Sequence, residues 1–157
     1  IIHGNDYVLN YAISKSDFNF FRILTSMFSH ADEYHLFFNM LFLFMCGSKL
    51  EIYIGKVKYL TIYMFSGIGS SILLGLISTV PCVGASGAIF GILGCYLMLS
   101  YFNRNVLKYT FKYDLLPTIS LSLLETFITP HVSIPSHVGG LLFGIFMYFI
   151  LCRKNKI

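Results

Sequence analysis

Charge is scarce in this sequence. Only 11% of its 157 residues are Asp, Glu, Lys or Arg, while 56% are hydrophobic and the mean hydropathy is +0.73. A soluble domain carries roughly a quarter charged residues, so the soluble classes are excluded and most of the surface is expected to face lipid. A paired-cysteine framework is missing too. Cys46, Cys82, Cys95 and Cys152 form no CxxC pair, and read as small core residues rather than metal ligands or disulfide partners. There is no low-complexity tract and no clear internal repeat. The net charge of +4 does not imply nucleic acid, because the eleven basic residues sit in short groups between apolar runs. They make no continuous basic face with interleaved aromatics.

What is present is a series of five apolar segments, about 34–50, 59–80, 83–102, 115–129 and 136–152. Segments two and three reach the roughly 20 residues a spanning helix needs. The others are shorter, and Glu125 interrupts the fourth; short polar-tipped helices are tolerated where protein or a water-filled cavity covers them. The fold class is therefore all-α, a polytopic membrane helix bundle. Lys49, Lys56 and Lys58 lie between segments one and two, Arg104, Lys108 and Lys112 between three and four, and Arg153, Lys154 and Lys156 after five. Five spans alternate sides, so these nine share one side, against Lys15 and Arg22 on the other. The positive-inside rule then makes segments one, three and five run from the outer side inward.

Three regions follow: residues 1–33 as an outer-side stretch, 34–152 as the transmembrane core, and 153–157 as a basic inner tail. The first 33 residues hold four of the seven acidic residues. Phe18, Phe20, Phe21, Ile23 and Leu24 suggest that this stretch lies at the membrane interface. Arg22 reads as its anchor, and His3 and His30 as solvent or interface residues.

Polar residues inside a span are costly and are functional candidates by default. His35 and Asn39 open segment one on a single helix face. Ser86 opens segment three and His137 opens segment five, so all four are expected at similar depth in the outer third. Gly87 and Gly91 form a GxxxG pair, and Gly140 and Gly144 form another. Stripes of this kind let helix backbones approach closely, and packing the two together would bring Ser86 near His137. A serine beside a histidine is an activated nucleophile. Its tetrahedral intermediate needs oxyanion donors, which His35, Asn39 and the Ser86 N–H can supply. No acidic residue lies at this depth, so a Ser-His dyad is expected rather than a full triad. Each residue also has an ordinary reading: Ser86 as a helix cap, and His35, Asn39 and His137 as interhelix hydrogen-bonding groups. His131 lacks a glycine stripe and is not expected to serve as the base. Glu125 reads as a polar group facing the bundle.

These residues resemble the rhomboid intramembrane proteases. Gly84-Ala85-Ser86-Gly87 is similar to their GASG nucleophile motif. His35 and Asn39 stand as in their HxxxN motif, and His137, Gly140 and Gly144 as in their HxxGxxxG motif. The run from Arg22 to His30 resembles the loop that opens their conserved domain, and Glu51 falls where these proteins usually carry a glutamate. The resemblance covers about residues 21–151. It implies a serine endopeptidase cutting single-pass transmembrane proteins near the outer face, with Ser86 and His137 catalytic, His35 and Asn39 at the oxyanion, and no metal or cofactor. It also implies a six-helix core, of which five are expected here. The chain begins at Ile1 rather than Met, so it reads as an excerpt with the further helix expected before Ile1. Phe90, one turn below Ser86, departs from the tyrosine many relatives have against the catalytic histidine. Two other functions compete: a catalytically inactive relative that binds transmembrane clients, and a small transporter using intramembrane histidines. The second is poorly met, because the polar residues sit at one membrane edge rather than the midplane. Substrate identity, organelle and oligomeric state are not legible.

Overall fold

The computed structural model describes residues 9–128 and 133–154. All five expected segments are helices, and their ends differ from the expected ones for local reasons. A short first helix, α1 (Phe20–Phe28), is capped by Asn19, whose side chain accepts from the Arg22 N–H. It is amphipathic: Ile23, Ser26 and Met27 are buried, while Phe20, Phe21 and Phe28 are exposed. Asp32 caps α2 (Glu33–Ile54) by accepting from the His35 N–H. A π-helical turn interrupts α2 at Leu43–Gly47. The helix runs past the expected end at Leu50 to Gly55, whose φ of 84° only glycine adopts readily and which therefore stops it. Lys56 and Lys58, expected in a connector, form the first turn of α3 (Lys56–Ile77).

α4 (Ser86–Phe102) is followed by α5 (Arg104–Thr110), a second π-helical turn at Phe111–Leu115, α6 (Leu116–Ile128) and α7 (Ile134–Leu151). α2, α3 and α7 are each long and apolar enough to cross a membrane. α4 has 17 residues, about 25 Å of helix, short of a hydrocarbon core about 30 Å thick. It is also apolar all round and buried over most of its length, the pattern of a helix enclosed by others. Its first residue, Ser86, is half-buried, and so are residues 82–84 of the loop before it.

Non-helical backbone packed against a helix bundle needs hydrogen-bond partners from the protein, and the N-terminal stretch supplies them. Ile13 and Cys82 exchange two backbone hydrogen bonds of 3.0 Å, the Lys15 N–H donates to the Ser78 carbonyl at 2.7 Å, and the Gly84 N–H donates to the Ser26 carbonyl at 2.8 Å. Arg22 holds that stretch in turn, donating to the carbonyls of Leu9 and Ala12 at 2.8 and 2.9 Å and pairing with Asp17. Its expected role as an anchor agrees with these contacts.

The main core lies at the end of the bundle away from Ser86. Leu50, Ile62, Ile92, Tyr96, Leu99 and Tyr148 are buried there with Cys46, Cys95 and Cys152. All four cysteines are free thiols; three are buried, and Cys82 is half-buried in the loop before α4. Lys49 pairs with Asp114 across the same end. Large apolar side chains such as Phe37, Phe44, Phe65, Leu142 and Phe146 are exposed on the bundle surface, as lipid contact requires. The expectations for His3 and His131 fall outside the described residues, as do those for residues 1–8 and 155–157.

Candidate active site

The two glycine stripes interlock. A Cβ added at Gly140 would collide with the carbonyl of Gly87, and one added at Gly144 with the carbonyl of Gly91. Only hydrogen at these positions lets the α4 and α7 backbones approach so closely. α3 closes the third side through its small residues. Ser70 Oγ donates to the Ser136 carbonyl at 2.8 Å and lies 2.8 Å from Ser136 Oγ. Close packing of α3, α4 and α7 thus fixes the relative positions of Ser86 and His137, at the starts of α4 and α7.

A cavity of about 450 Å³ opens at that end of the bundle. His35, Asn39, Ser86 and His137 all line it, together with Phe90 and Gly84. The four polar residues singled out from sequence therefore share one cavity. Ser86 is the first residue of α4, and Ala85 before it makes no side-chain cap. The ordinary reading of Ser86 as a cap does not hold. The N–H groups of the first turn have no intrahelical partner and carry the positive end of the helix dipole.

Gly84 takes φ 133°, which glycine alone adopts without strain. The site needs glycine there for a second reason. A Cβ at Gly84 would stand 2.7 Å from Cε1 and 2.8 Å from Nε2 of His35, and 3.8 Å from Ser86 Oγ. The His35 imidazole and the Ser86 hydroxyl thus flank the same small space. The Ala31 N–H donates to His35 Nδ1 at 3.4 Å, which leaves the proton of a neutral ring on Nε2. That N–H is at the Gly84 side, beside Ser86. Asn39 is 4% exposed, donates from Nδ2 to the His35 carbonyl at 2.7 Å, and leaves Oδ1 buried without a partner. An amide has two N–H bonds, so one remains for the cavity.

His137 is 4% exposed. Its ring stacks on Phe90 with centroids 4.1 Å apart and planes 14° from parallel. The ring surface alone makes this contact, so the missing tyrosine hydroxyl does not disturb it. Nδ1 lies 3.1 Å from Thr126 Oγ1 on α6. Ser86 and His137 are not hydrogen-bonded to each other here. Catalytic hydrogen bonds are often long in a free enzyme and tighten around substrate.

Sequence reasoning missed several residues. Thr126 carries no motif, and its neighbour Glu125, a half-buried cavity residue, drew attention as the charged one. Ser70 and Ser136 are small residues whose partners are fixed only by helix packing. His30, expected at solvent or the interface, instead packs edge-on to His35 with centroids 5.3 Å apart. Burial, with the nearby His35 charge adding, lowers its pKa from 6.5 to about 4.

The comparisons with known proteins bear on this geometry. A rhomboid domain is matched over residues 17–154. Rhomboid protease GluP of Bacillus subtilis (strain 168) is 36% identical over 125 residues, covering 80% of this chain and 25% of GluP. RHOMBOID-like protein 1 of Arabidopsis thaliana is 37% identical over 139 residues, covering 86% of this chain and 35% of that protein. YdcA of Bacillus subtilis (strain 168) is 29% identical over 160 residues, covering 99% of this chain and 79% of its own length. The chain thus spans most of YdcA but well under half of the other two. With three helices able to cross a membrane and a rhomboid match over nearly its whole length, this chain is an integral multi-pass membrane protein and belongs to the rhomboid family.

Proposed function

We propose that this chain is an intramembrane serine endopeptidase that cleaves transmembrane proteins near the outer membrane face. The observation that carries the proposal is one cavity lined by Ser86, His137, His35 and Asn39 at the start of α4. Two relatives bearing protease names share the family.

The chemistry follows from the side chains. Ser86 Oγ attacks the scissile carbonyl while its proton passes to His137. The oxygen of the tetrahedral intermediate takes up negative charge beside Ser86, where the His35 Nε2–H, the remaining Asn39 N–H and the first-turn N–H groups of α4 can donate to it. His137 then protonates the leaving amine, and the acyl-enzyme forms. Water entering through the cavity loses a proton to His137 and attacks the ester, releasing the second product. The substrate is a single-pass transmembrane protein that enters from the bilayer and unwinds locally, since a peptide bond inside an intact helix is shielded. The exposed Phe20, Phe21 and Phe28 support the reading of the stretch before α2 as an outer-side interfacial region.

One observation favours the rival reading of a client-binding, inactive relative: the absent hydrogen bond between Ser86 and His137. The two readings part in a cleavage assay. Reconstituted in liposomes with labelled single-pass substrates, the full-length protein should cut within or at the edge of the membrane segment. Ser86→Ala should bind the same substrates and cut none. Cutting that persists in Ser86→Ala would exclude Ser86 as nucleophile.

A further inference from the structure

We propose that Thr126 is a positioning residue for His137, holding its imidazole in the one tautomer that can act as a base toward Ser86. The inference rests on the catalytic reading above and goes beyond the two-residue dyad. Its basis is a proton count. The Thr126 hydroxyl has a single proton, and it donates that proton to the Ser122 carbonyl one turn back, at 2.7 Å. Toward His137 Nδ1, 3.1 Å away, the hydroxyl can therefore only accept. A neutral imidazole has one N–H, and this contact places it on Nδ1. Nε2 is left with its lone pair free, as a general base needs.

The stack on Phe90 fixes the plane of the ring. A ring held only by stacking can still carry its proton on either nitrogen, and one of those two states is inert toward serine. In a full triad a buried carboxylate makes the choice. Here the group 3.1 Å from His137 Nδ1 is the Thr126 hydroxyl. Thr126 Oγ1 also accepts from Nδ1 when the ring becomes charged, so the same contact serves the imidazolium that forms during attack.

Position in the fold gives the contact a second consequence. α6 follows directly on the π-helical turn at Phe111–Leu115, and its Ser122 and Thr126 lie on the face toward α7. The base is thus set from a helix other than those carrying the nucleophile and the base. When α6 moves away from α7, His137 loses its tautomer preference while Ser86 and the glycine stripes stay in place.

The test uses the full-length protein and the variants Thr126→Val and Thr126→Ser. Valine keeps the shape and removes the acceptor; serine restores it. Nitrogen-15 spectra of His137 in detergent read the tautomer directly, without any need for activity. The parent should carry its proton on Nδ1, Thr126→Ser should match it, and Thr126→Val should shift to a mixture. With cleavage measured in parallel, Thr126→Val should lower kcat about tenfold or more at unchanged KM, less than the ~10⁴-fold that loss of a triad carboxylate costs. A parent with its proton on Nε2, or a Thr126→Val spectrum identical to the parent, would overturn the proposal. If the parent cleaves nothing yet shows the Nδ1 proton, the catalytic reading fails while the positioning contact stands. If Thr126→Val does not fold, the spectra of the parent and Thr126→Ser still decide.

Discussion

Adding a single methyl group at Gly140 should separate the two helices that carry the proposed dyad. A Cβ there meets the Gly87 carbonyl, and the neighbouring atoms within 3.0 Å are all Gly87 backbone. No side chain can rotate aside, so one helix must translate. Overpacking of this kind costs typically about 1–3 kcal/mol, and an obstacle made of backbone puts Gly140→Ala at or above the upper end. Gly139 on the same helix is the control, since a Cβ there stands 2.9 Å from Leu73 Cδ2, the tip of a flexible side chain. Gly139→Ala should cost less than about 1 kcal/mol. Unfolding in mixed dodecylmaltoside and SDS micelles, followed by circular dichroism, measures both. Activity adds a second reading, because a misplacement of about 1 Å at a reacting pair can cost 10²-fold in rate. If Gly140→Ala proves no less stable than Gly139→Ala, the interlocked stripes are not what holds α4 against α7.

The other predictions concern the cavity and its rim. Gly84→Ala combines a φ of 133° with a Cβ 2.7 Å from the His35 ring; it should cost about 1–3 kcal/mol of stability and lower kcat more than it raises KM. Phe90→Ala removes a stack worth about 0.5–1.5 kcal/mol, so kcat should fall roughly 2- to 10-fold, whereas Phe90→Tyr should retain activity; an unaffected Phe90→Ala enzyme would refute the orienting role of the ring. His30 has its pKa lowered from 6.5 to about 4 in the fold. The unfolded chain therefore binds the proton first, and this contribution to stability is intact above pH 6.5 and is lost as pH falls toward 4. His30→Gln should flatten the decline in unfolding midpoint over that window, and a decline as steep as the parent's would show that another group causes it.

Much of the fold could be read from the sequence because a membrane bundle writes its constraints into composition. Uncharged runs marked α3 and α4, and the paired GxxxG stripes marked the faces that meet. Helix ends were less legible. Gly55 and Gly84 set them through positive φ, while the sequence signal at each place was a group of lysines or a run of apolar residues extending beyond the true end. The π-helical turns in α2 and before α6 have no sequence signature, since they answer to packing between those segments. At the site, Ser86, His137, His35 and Asn39 could be grouped because polar residues in apolar segments are few and the glycine stripes pair two of their helices. Thr126 could not, as a threonine that hydrogen-bonds its own helix carbonyl looks like any other threonine in an apolar segment. The packing of His30, in the connector after α1, against the His35 ring was not legible for a similar reason: it depends on how the chain folds back at that connector.

The central claim is that Ser86 is a nucleophile activated by His137. Reacting the detergent-solubilised, full-length protein with a fluorophosphonate probe tests it most directly, beside Ser86→Ala and His137→Ala. Covalent label on Ser86 of the parent, absent from both variants, is the predicted result. A folded parent that takes no label, or a His137→Ala variant labelled as fast as the parent, would contradict it.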